Sequence, residues 1–301
     1  MEASAVRSPG VLRKARLAVE GMRPRQWVKN AFVFGGVLYS GQFVEVGPLS
    51  TAIAVFVAFC LASGAAYLVN DAVDAETDRM NPRTAGRPIA RGELSPRTAI
   101  VVAVVADVAA LAIAALVNWE TLATLGGFIA LQAAYSTFLK HQLFIDVMAV
   151  AGGFVLRAYA GLVSIDVEIS EWLLLCTGLL ALFLGFGKRR NELSTLEGAA
   201  GQHRANLDSY SLPMLDQMIV FVSAAIVISY SLYTFDAPSA PDNRAMMLTI
   251  PFLLYALFRY LYLIYRQELG GSPEVLLVTD RPILACIAGW ALAVLLIIYL
   301  A

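Results

Sequence analysis

The stretch TAIAVFVAFCLASGAAYLVNDAVDAETDRMNPRTAGRPIARG, Thr51 to Gly92, decides the architecture. It opens with an apolar run of about twenty residues, the length a helix needs to cross a bilayer. Three aspartates follow, Asp71, Asp74 and Asp78, and then the arginines Arg79, Arg83, Arg87 and Arg91. On a helix continuing out of the apolar run, Asp71, Asp74 and Asp78 fall on one face, with Asn70 beside Asp74 at i, i+4. Glu76 points off that face. Carboxylates stacked at a helix C-terminus repel one another and the dipole, so this face calls for a cation.

The rest of the chain repeats the apolar half of the pattern. Of its 301 residues 59% are hydrophobic and only 15% charged, where a soluble domain carries roughly a quarter charged residues. A soluble enzyme is excluded, and nothing in the charge pattern asks for nucleic acid. Inside lipid a backbone satisfies its own hydrogen bonds by forming helices. The expected fold is therefore all-α, a polytopic membrane protein with nine transmembrane helices near 30–46, 50–70, 98–117, 120–138, 143–163, 171–187, 217–235, 246–265 and 283–300. These form a single domain, 30–301, behind a cytosolic arm, 1–29, which has no apolar core of signal-peptide type.

Charge sets the orientation. With the N-terminus inside, nineteen of the 22 Lys and Arg fall on the cytosolic side. Only Arg244 falls outside, and Arg157 and Arg259 lie within spans. That asymmetry is a strong positive-inside signal, and it turns the aspartates and arginines toward the cytosol in a multi-pass protein of the plasma (inner) membrane. Cys60, Cys176 and Cys286 sit in apolar stretches without metal-type spacing and read as buried hydrophobes. His141 and His203 read as polar loop residues.

Mg²⁺ suits the aspartate face, because it takes one or two carboxylates, keeps waters and completes its shell with phosphate oxygens. Arg83, Arg87 and Arg91 recur every four residues around a proline and two glycines, a loop able to present guanidinium forks to phosphate. Carboxylates for a metal with arginines alongside suit a diphosphate whose departure must be stabilised.

NDAVDAETD at the end of the second span resembles the NDxxDxxxD signature of the UbiA superfamily, nine-helix intramembrane prenyltransferases that bind Mg²⁺–diphosphate at the cytosolic side. RPRQWVKN (Arg23–Asn30), GRPIARG (Gly86–Gly92), YSTFLKHQ (Tyr135–Gln142), GGFVLRAYAG (Gly152–Gly161) and FGKRRNEL (Phe186–Leu193) look like its decaprenyl-phosphate phosphoribosyltransferase branch. The loop SPEVLLVTDRP, Ser272 to Pro282, is similar as well.

The resemblance implies that Asp71, Asp74 and Asp78 bind Mg²⁺ and carry catalysis. It implies transfer of phosphoribose from phosphoribosyl diphosphate to a polyprenyl (decaprenyl) phosphate in arabinan and cell-wall precursor synthesis. Ordinary prenyl-diphosphate users carry a second aspartate motif near the sixth span, where this chain reads Lys188, Arg189, Arg190, Asn191, Glu192, a set suited to a phosphate.

Lys29, Tyr135, Lys140, Lys188 and Arg189 then become phosphate-positioning residues, although Lys29 and Lys140 read equally as snorkelling side chains and Tyr135 as an interfacial anchor. Glu192 is open to metal, sugar hydroxyls or a neighbouring arginine. Arg157, inside a span, calls for a partner, either Asp146 or a bound phosphate. A homo-oligomer is compatible with the sequence.

Two rival readings stand beside this one. One is a prenyltransferase joining a prenyl diphosphate to an aromatic acceptor, and the basic set at Lys188–Arg190 argues against it. The other is a transporter, whose ion site belongs near the bilayer midplane rather than at its edge.

A reporter fused after Gly92 is expected to behave as cytosolic and one fused near Pro241 as external. The reverse result at either place would overturn the orientation.

Overall fold

The computed structural model describes residues 11–81, 84–196, 207–236, 244–267, 270–271 and 273–300. Arg83 and His203 lie outside them. Regular structure among the described residues is helical throughout. In chain order, α1 (Val11–Gly21) is a short amphipathic helix, and a 3₁₀ stretch, Pro24–Phe34, leads into α2 (Gly35–Tyr39). Then come α3 (Val46–Val73), α4 (Ala75–Met80), α5 (Pro96–Val117), α6 (Trp119–Thr137), α7 (Ile145–Val163) and α8 (Glu171–Leu196). The C-terminal part holds α9 (Leu212–Asp236), α10 (Ile250–Arg266), α11 (Pro273–Thr279) and α12 (Arg281–Leu300).

Among the described residues seven helical segments are long and apolar enough to cross a bilayer: Val46–Val73, Pro96–Val117, Ile145–Val163, Glu171–Thr195, Leu212–Phe235, Ala245–Arg266 and Arg281–Ile298. The chain is an integral membrane protein. Two of the nine expected spans depart from expectation. The one at 120–138 forms as α6, 19 residues long, but Thr121, Thr124, Gln132, Ser136 and Thr137 leave it less apolar than the seven. The one at 30–46 is not a single α-helix: 3₁₀ turns, α2 and a second 3₁₀ turn at Gln42–Val44 share it. Gly35, Gly36 and Gly41 weaken helix there, and Gly41 takes φ +72°, which ends α2. The boundary expected after Lys29 falls inside the 3₁₀ stretch. The expected loop at Ser272–Pro282 contains α11, and Asp280 caps α12 by accepting from the Ile283 amide at 3.0 Å while binding Arg259 at 2.8 Å. That guanidinium bond holds the Asp280 carboxyl below the usual range.

Helix ends follow from local chemistry. Ser95 accepts from the Thr98 amide at 3.1 Å ahead of Pro96, starting α5. Asn118 ends α5, caps α6 by accepting from the Thr121 amide at 2.8 Å, and donates to the Val163 carbonyl at the end of α7.

Packing is that of a membrane bundle. Lipid solvates apolar side chains as well as a core does, so close contact rather than hydrophobicity joins helices, and small residues mark the seams. The α5 face against α3 is Ala99, Ala103, Ala106, Ala110 and Ala114, all buried, while Val101, Val104, Val105, Val108 and Leu116 point outward. The central members are α3 and α7, and the C-terminal core gathers Phe183, Leu215, Ile219, Tyr260 and Leu263 between α8, α9 and α10.

The irregular N-terminal stretch is seated on α7 at one tight point. A Cβ on Gly161 would collide with the Val33 carbonyl, and one on Gly36 would come within 2.6 Å of the Gly161 carbonyl oxygen. Backbone cannot yield as a flexible side chain can. Gly161→Ala is therefore expected to destabilise the detergent-solubilised protein by ~1–3 kcal/mol, read as a lower melting temperature. Alanine at Gly126, whose Cβ position is open, is expected to be harmless by comparison.

Candidate active site

The helix carrying the aspartates does not run straight through them. Asp74 ends α3 with φ −90° and ψ 9°, and α4 restarts at Ala75. The backbone bonds still bridge the break, Asp74 N to Asn70 O at 2.9 Å and Asp78 N to Asp74 O at 2.8 Å. Asp71 and Asp78, seven residues apart, stay on one side. One nitrogen of Arg87 donates to both, at 3.0 Å to Asp71 and 2.6 Å to Asp78. Arg23 also binds Asp71, and its guanidinium stacks 4.7 Å from the centre of the Tyr67 ring. Asp74 turns instead to Lys140, whose ammonium donates to both its oxygens at 2.7 and 2.9 Å. The three carboxylates expected on one face meet different cations here: Asp71 and Asp78 converge on Arg87, and Asp74 binds Lys140. Among the described residues no three acidic, His or Cys side chains already form a metal cage.

Lys140 reaches Asp74 because a 3₁₀ turn, Leu139–His141, follows α6. Six residues on, buried Asp146 in the first turn of α7 accepts from Arg189 at 2.8 Å and from the Tyr210 hydroxyl at 3.0 Å. Tyr210 in turn accepts from the Phe144 amide at 2.9 Å. This clamp holds Phe144 at φ +64°, a conformation a phenylalanine adopts only when its surroundings impose it. Burial pushes the Tyr210 phenol up to about 12, so it keeps its proton at any working pH.

The basic set at the end of α8 is divided among separate partners. Arg189, buried, binds Asp146 and Glu192. Arg190 binds Asp216 at 2.6 Å and stacks 4.3 Å from the Tyr265 ring centre. Lys188 is half-buried and makes no ion pair with a described residue. Tyr135 lies within electrostatic reach of Arg189. Lys29 is half-buried and partnered on the 3₁₀ stretch, and Asn70 is half-buried at the last turn of α3. The Lys140–Asp74, Arg189–Asp146 and Arg190–Asp216 pairs gather the C-terminal ends of α3, α6 and α8 and the N-terminal ends of α7 and α9 at one end of the bundle.

Arg157 is buried among neutral groups. It donates to Asn30 Oδ1 at 2.6 Å, the Gly153 carbonyl at 2.8 Å and Ser63 Oγ at 3.2 Å, between the rings of Phe128 and Phe154. The expected Arg157–Asp146 pair does not form, because Asp146 sits three turns away on the same helix and Arg189 and Tyr210 occupy it.

The converging pair fits a divalent ion. Asp71 Oδ1 and Asp78 Oδ2 already meet on one positively charged nitrogen, and two carboxylates plus waters and phosphate oxygens complete a Mg²⁺ shell. The UbiA prenyltransferase family model matches residues 31–279.

The chain belongs to this family.

It is an enzyme, as UbiA transferases are. Decaprenyl-phosphate phosphoribosyltransferase of Mycobacterium tuberculosis is 35% identical over 280 residues, covering 90% of this chain and 91% of that one. The protein of the same name from Mycolicibacterium smegmatis is 33% identical over 285 residues, covering 90% and 89%. Among solved structures, a UbiA homolog from Archaeoglobus fulgidus bound to GPP and Mg²⁺ superposes with a TM-score of 0.72 over 94% of this chain and 99% of that one, at 19% identity. That likeness shows the UbiA fold.

Sequence reasoning missed Arg23 at this UbiA-type aspartate face. The signal for it was RPRQW itself: an arginine before a proline, a place where a helix ends, and here Arg23 leaves α1 with φ +53° and reaches Asp71 on α3. It also missed Tyr210, which no motif marks.

Asp146 and Arg189 should be energetically coupled. Asp146→Ala leaves buried Arg189 with Glu192 alone and Tyr210 without its acceptor, and is expected to lower the melting temperature, by ~1–3 kcal/mol in stability. Adding Arg189→Met is expected to recover part of that loss. A double variant as unstable as the sum of the single variants would show that the two do not interact.

Proposed function

We propose that this UbiA-family enzyme transfers 5-phosphoribose from phosphoribosyl diphosphate to a polyprenyl (decaprenyl) phosphate and releases diphosphate, in cell-wall precursor synthesis. The observation that carries the reading is the end-to-end similarity to proteins named for that activity. The basic end of α8 supports it, because Lys188 offers a phosphate contact where a second metal cradle would need acids. The positive-inside bias supports a cytosolic site on the plasma (inner) membrane, reached by a water-soluble donor from one side and a lipid acceptor from the other.

Asp71, Asp74 and Asp78 would hold Mg²⁺, which when bound supplies positive charge to the departing diphosphate. Arg87, and Arg83 beyond the described residues, donate to the same leaving group. An oxygen of the lipid phosphate attacks the anomeric carbon as the bond to diphosphate breaks, through an oxocarbenium-like state. The attacking phosphate is already an anion at neutral pH, so the protein needs to position it and exclude water rather than remove a proton. Lys188 holds a monophosphate, either of the lipid or at the ribose 5-position. Lys29, Asn70, Tyr135 and Lys140 line the approach. Arg189 and Glu192, paired with each other on the same turn of α8, complete the substrate-facing set, and Arg157 fixes the 3₁₀ stretch that brings Arg23 and Lys29 to the site.

Purified chain given labelled phosphoribosyl diphosphate, polyprenyl phosphate and Mg²⁺ is expected to yield labelled lipid. Transfer of a prenyl group to an aromatic acceptor, with no labelled lipid, would overturn the reading in favour of the chemistry suggested by the GPP-bound neighbour. Asp78→Asn is expected to abolish turnover with the protein still folded, since asparagine keeps an acceptor for Arg87. Lys188→Ala is expected to lower kcat/KM roughly tenfold to a hundredfold, one charge-assisted contact of ~1.5–3 kcal/mol, and extra Mg²⁺ should not restore it.

A further inference from the structure

We propose that the acids and bases of the aspartate site act as one another's counter-ions and exchange partners only when a dication and a diphosphate arrive together. This rests on the function proposed above and concerns how that site is loaded.

Among the described residues each of the three carboxylates has a cation. Asp71 is held by Arg23 and Arg87, Asp78 by Arg87, and Asp74 by Lys140. Three carboxylates meet three cations. The groups with most to lose are deeply placed: the Asp71 side chain is 1% exposed and that of Lys140 is 4% exposed. A buried charge deprived of its partner is strongly unfavourable.

Consider each ligand alone. A dication between Asp71 and Asp78 must take the position the Arg87 nitrogen holds on both. Drawing Asp74 toward it as well takes from the buried Lys140 ammonium the carboxylate it holds at 2.7 and 2.9 Å. A diphosphate alone draws Arg87, Arg23 and Lys140 toward its oxygens and leaves Asp71 uncompensated. When both arrive, the carboxylates turn to the metal and the cations to the phosphate oxygens, and every buried charge keeps a partner. The two ligands therefore bind with positive coupling, and the coupling is reciprocal. Arg23, Arg87 and Lys140 are positioning residues that oppose metal alone and favour metal with diphosphate. Arg23 is preset for this by its left-handed backbone and its stacking on Tyr67.

The test uses full-length protein in detergent, Mn²⁺ as the metal probe read by electron paramagnetic resonance, and inorganic diphosphate as the anion. Wild type is expected to bind Mn²⁺ weakly alone and much more tightly with diphosphate. Arg87→Gln and Lys140→Gln, which remove competing cations from different carboxylates, are each expected to bind Mn²⁺ alone about tenfold tighter than wild type, the factor one charge-assisted contact carries. Both should bind diphosphate more weakly in the presence of Mn²⁺. A damaged fold lowers both affinities and cannot imitate a gain, and two separate variants keep the test open if one fails to fold. If wild type takes up Mn²⁺ with diphosphate but neither variant gains affinity for Mn²⁺ alone, partner exchange is wrong and the metal site stands. If wild type takes up Mn²⁺ under neither condition, the metal reading of the site falls, and partner exchange falls with it.

Discussion

A charge at the edge of a bilayer keeps its state only while something of opposite sign stays beside it, and that constraint organises this molecule. The nitrogen of Arg87 shared by Asp71 and Asp78 is its centre. To supply that nitrogen, the segment between α4 and α5 must fold back over the end of α3. It does so with Arg79 donating to the Ala90 carbonyl at 3.2 Å and Arg91 reaching Glu20 on α1 at 3.1 Å. The N-terminal helix, the arginine loop and the aspartate helix thereby become one unit. Lys140 fastens the α6–α7 connection to the same unit, and Asp146 passes the link to α8 and, through Tyr210, to the segment before α9. Helices that share no hydrophobic driving force in lipid are thus tied together at one end by ion pairs and along their length by alanine and glycine seams.

Most of the fold was legible because a spanning helix is written as a long uninterrupted apolar run, and seven such runs recur. The first expected span misled for a physical reason. Its residues are apolar, but Gly35, Gly36 and Gly41 weaken helix there, α2 is only five residues long, and Gly36 lets backbone touch backbone at Gly161. Hydropathy records what a residue is willing to contact and carries nothing about how closely two chains pack. Gly161 and Asn118 position their elements through partners 125 and 45 residues away, Gly36 and Val163, which no local pattern announces.

The candidate site was legible to a different depth. The acids at positions 71, 74 and 78 could be found from spacing, and so could the loop arginine Arg87. Which cation meets which acid could not, because those partners come from α1's exit turn, the arginine loop and the α6–α7 turn. A helical wheel places Asp74 with Asp71, yet a break of one residue sends it to Lys140. Arg157 shows the same gap between residue type and partner. A buried arginine suggests a carboxylate, and here three neutral acceptors and two rings hold it instead.

The basic run at 188–190 carries the argument about substrate furthest. Three consecutive cations on a helix point about 100° apart, so they cannot serve one phosphate jointly. Asp146 and Glu192 take the first arginine and Asp216 the second, each on its own bearing. Lys188 remains on a third bearing, without an ion pair among the described residues. Arg23, Arg87, Lys140, Arg189 and Arg190 each already meet an acid, whereas the charge of Lys188 is open to a ligand. In the reaction proposed above, a phosphate is the ligand class that can meet it without adding a metal.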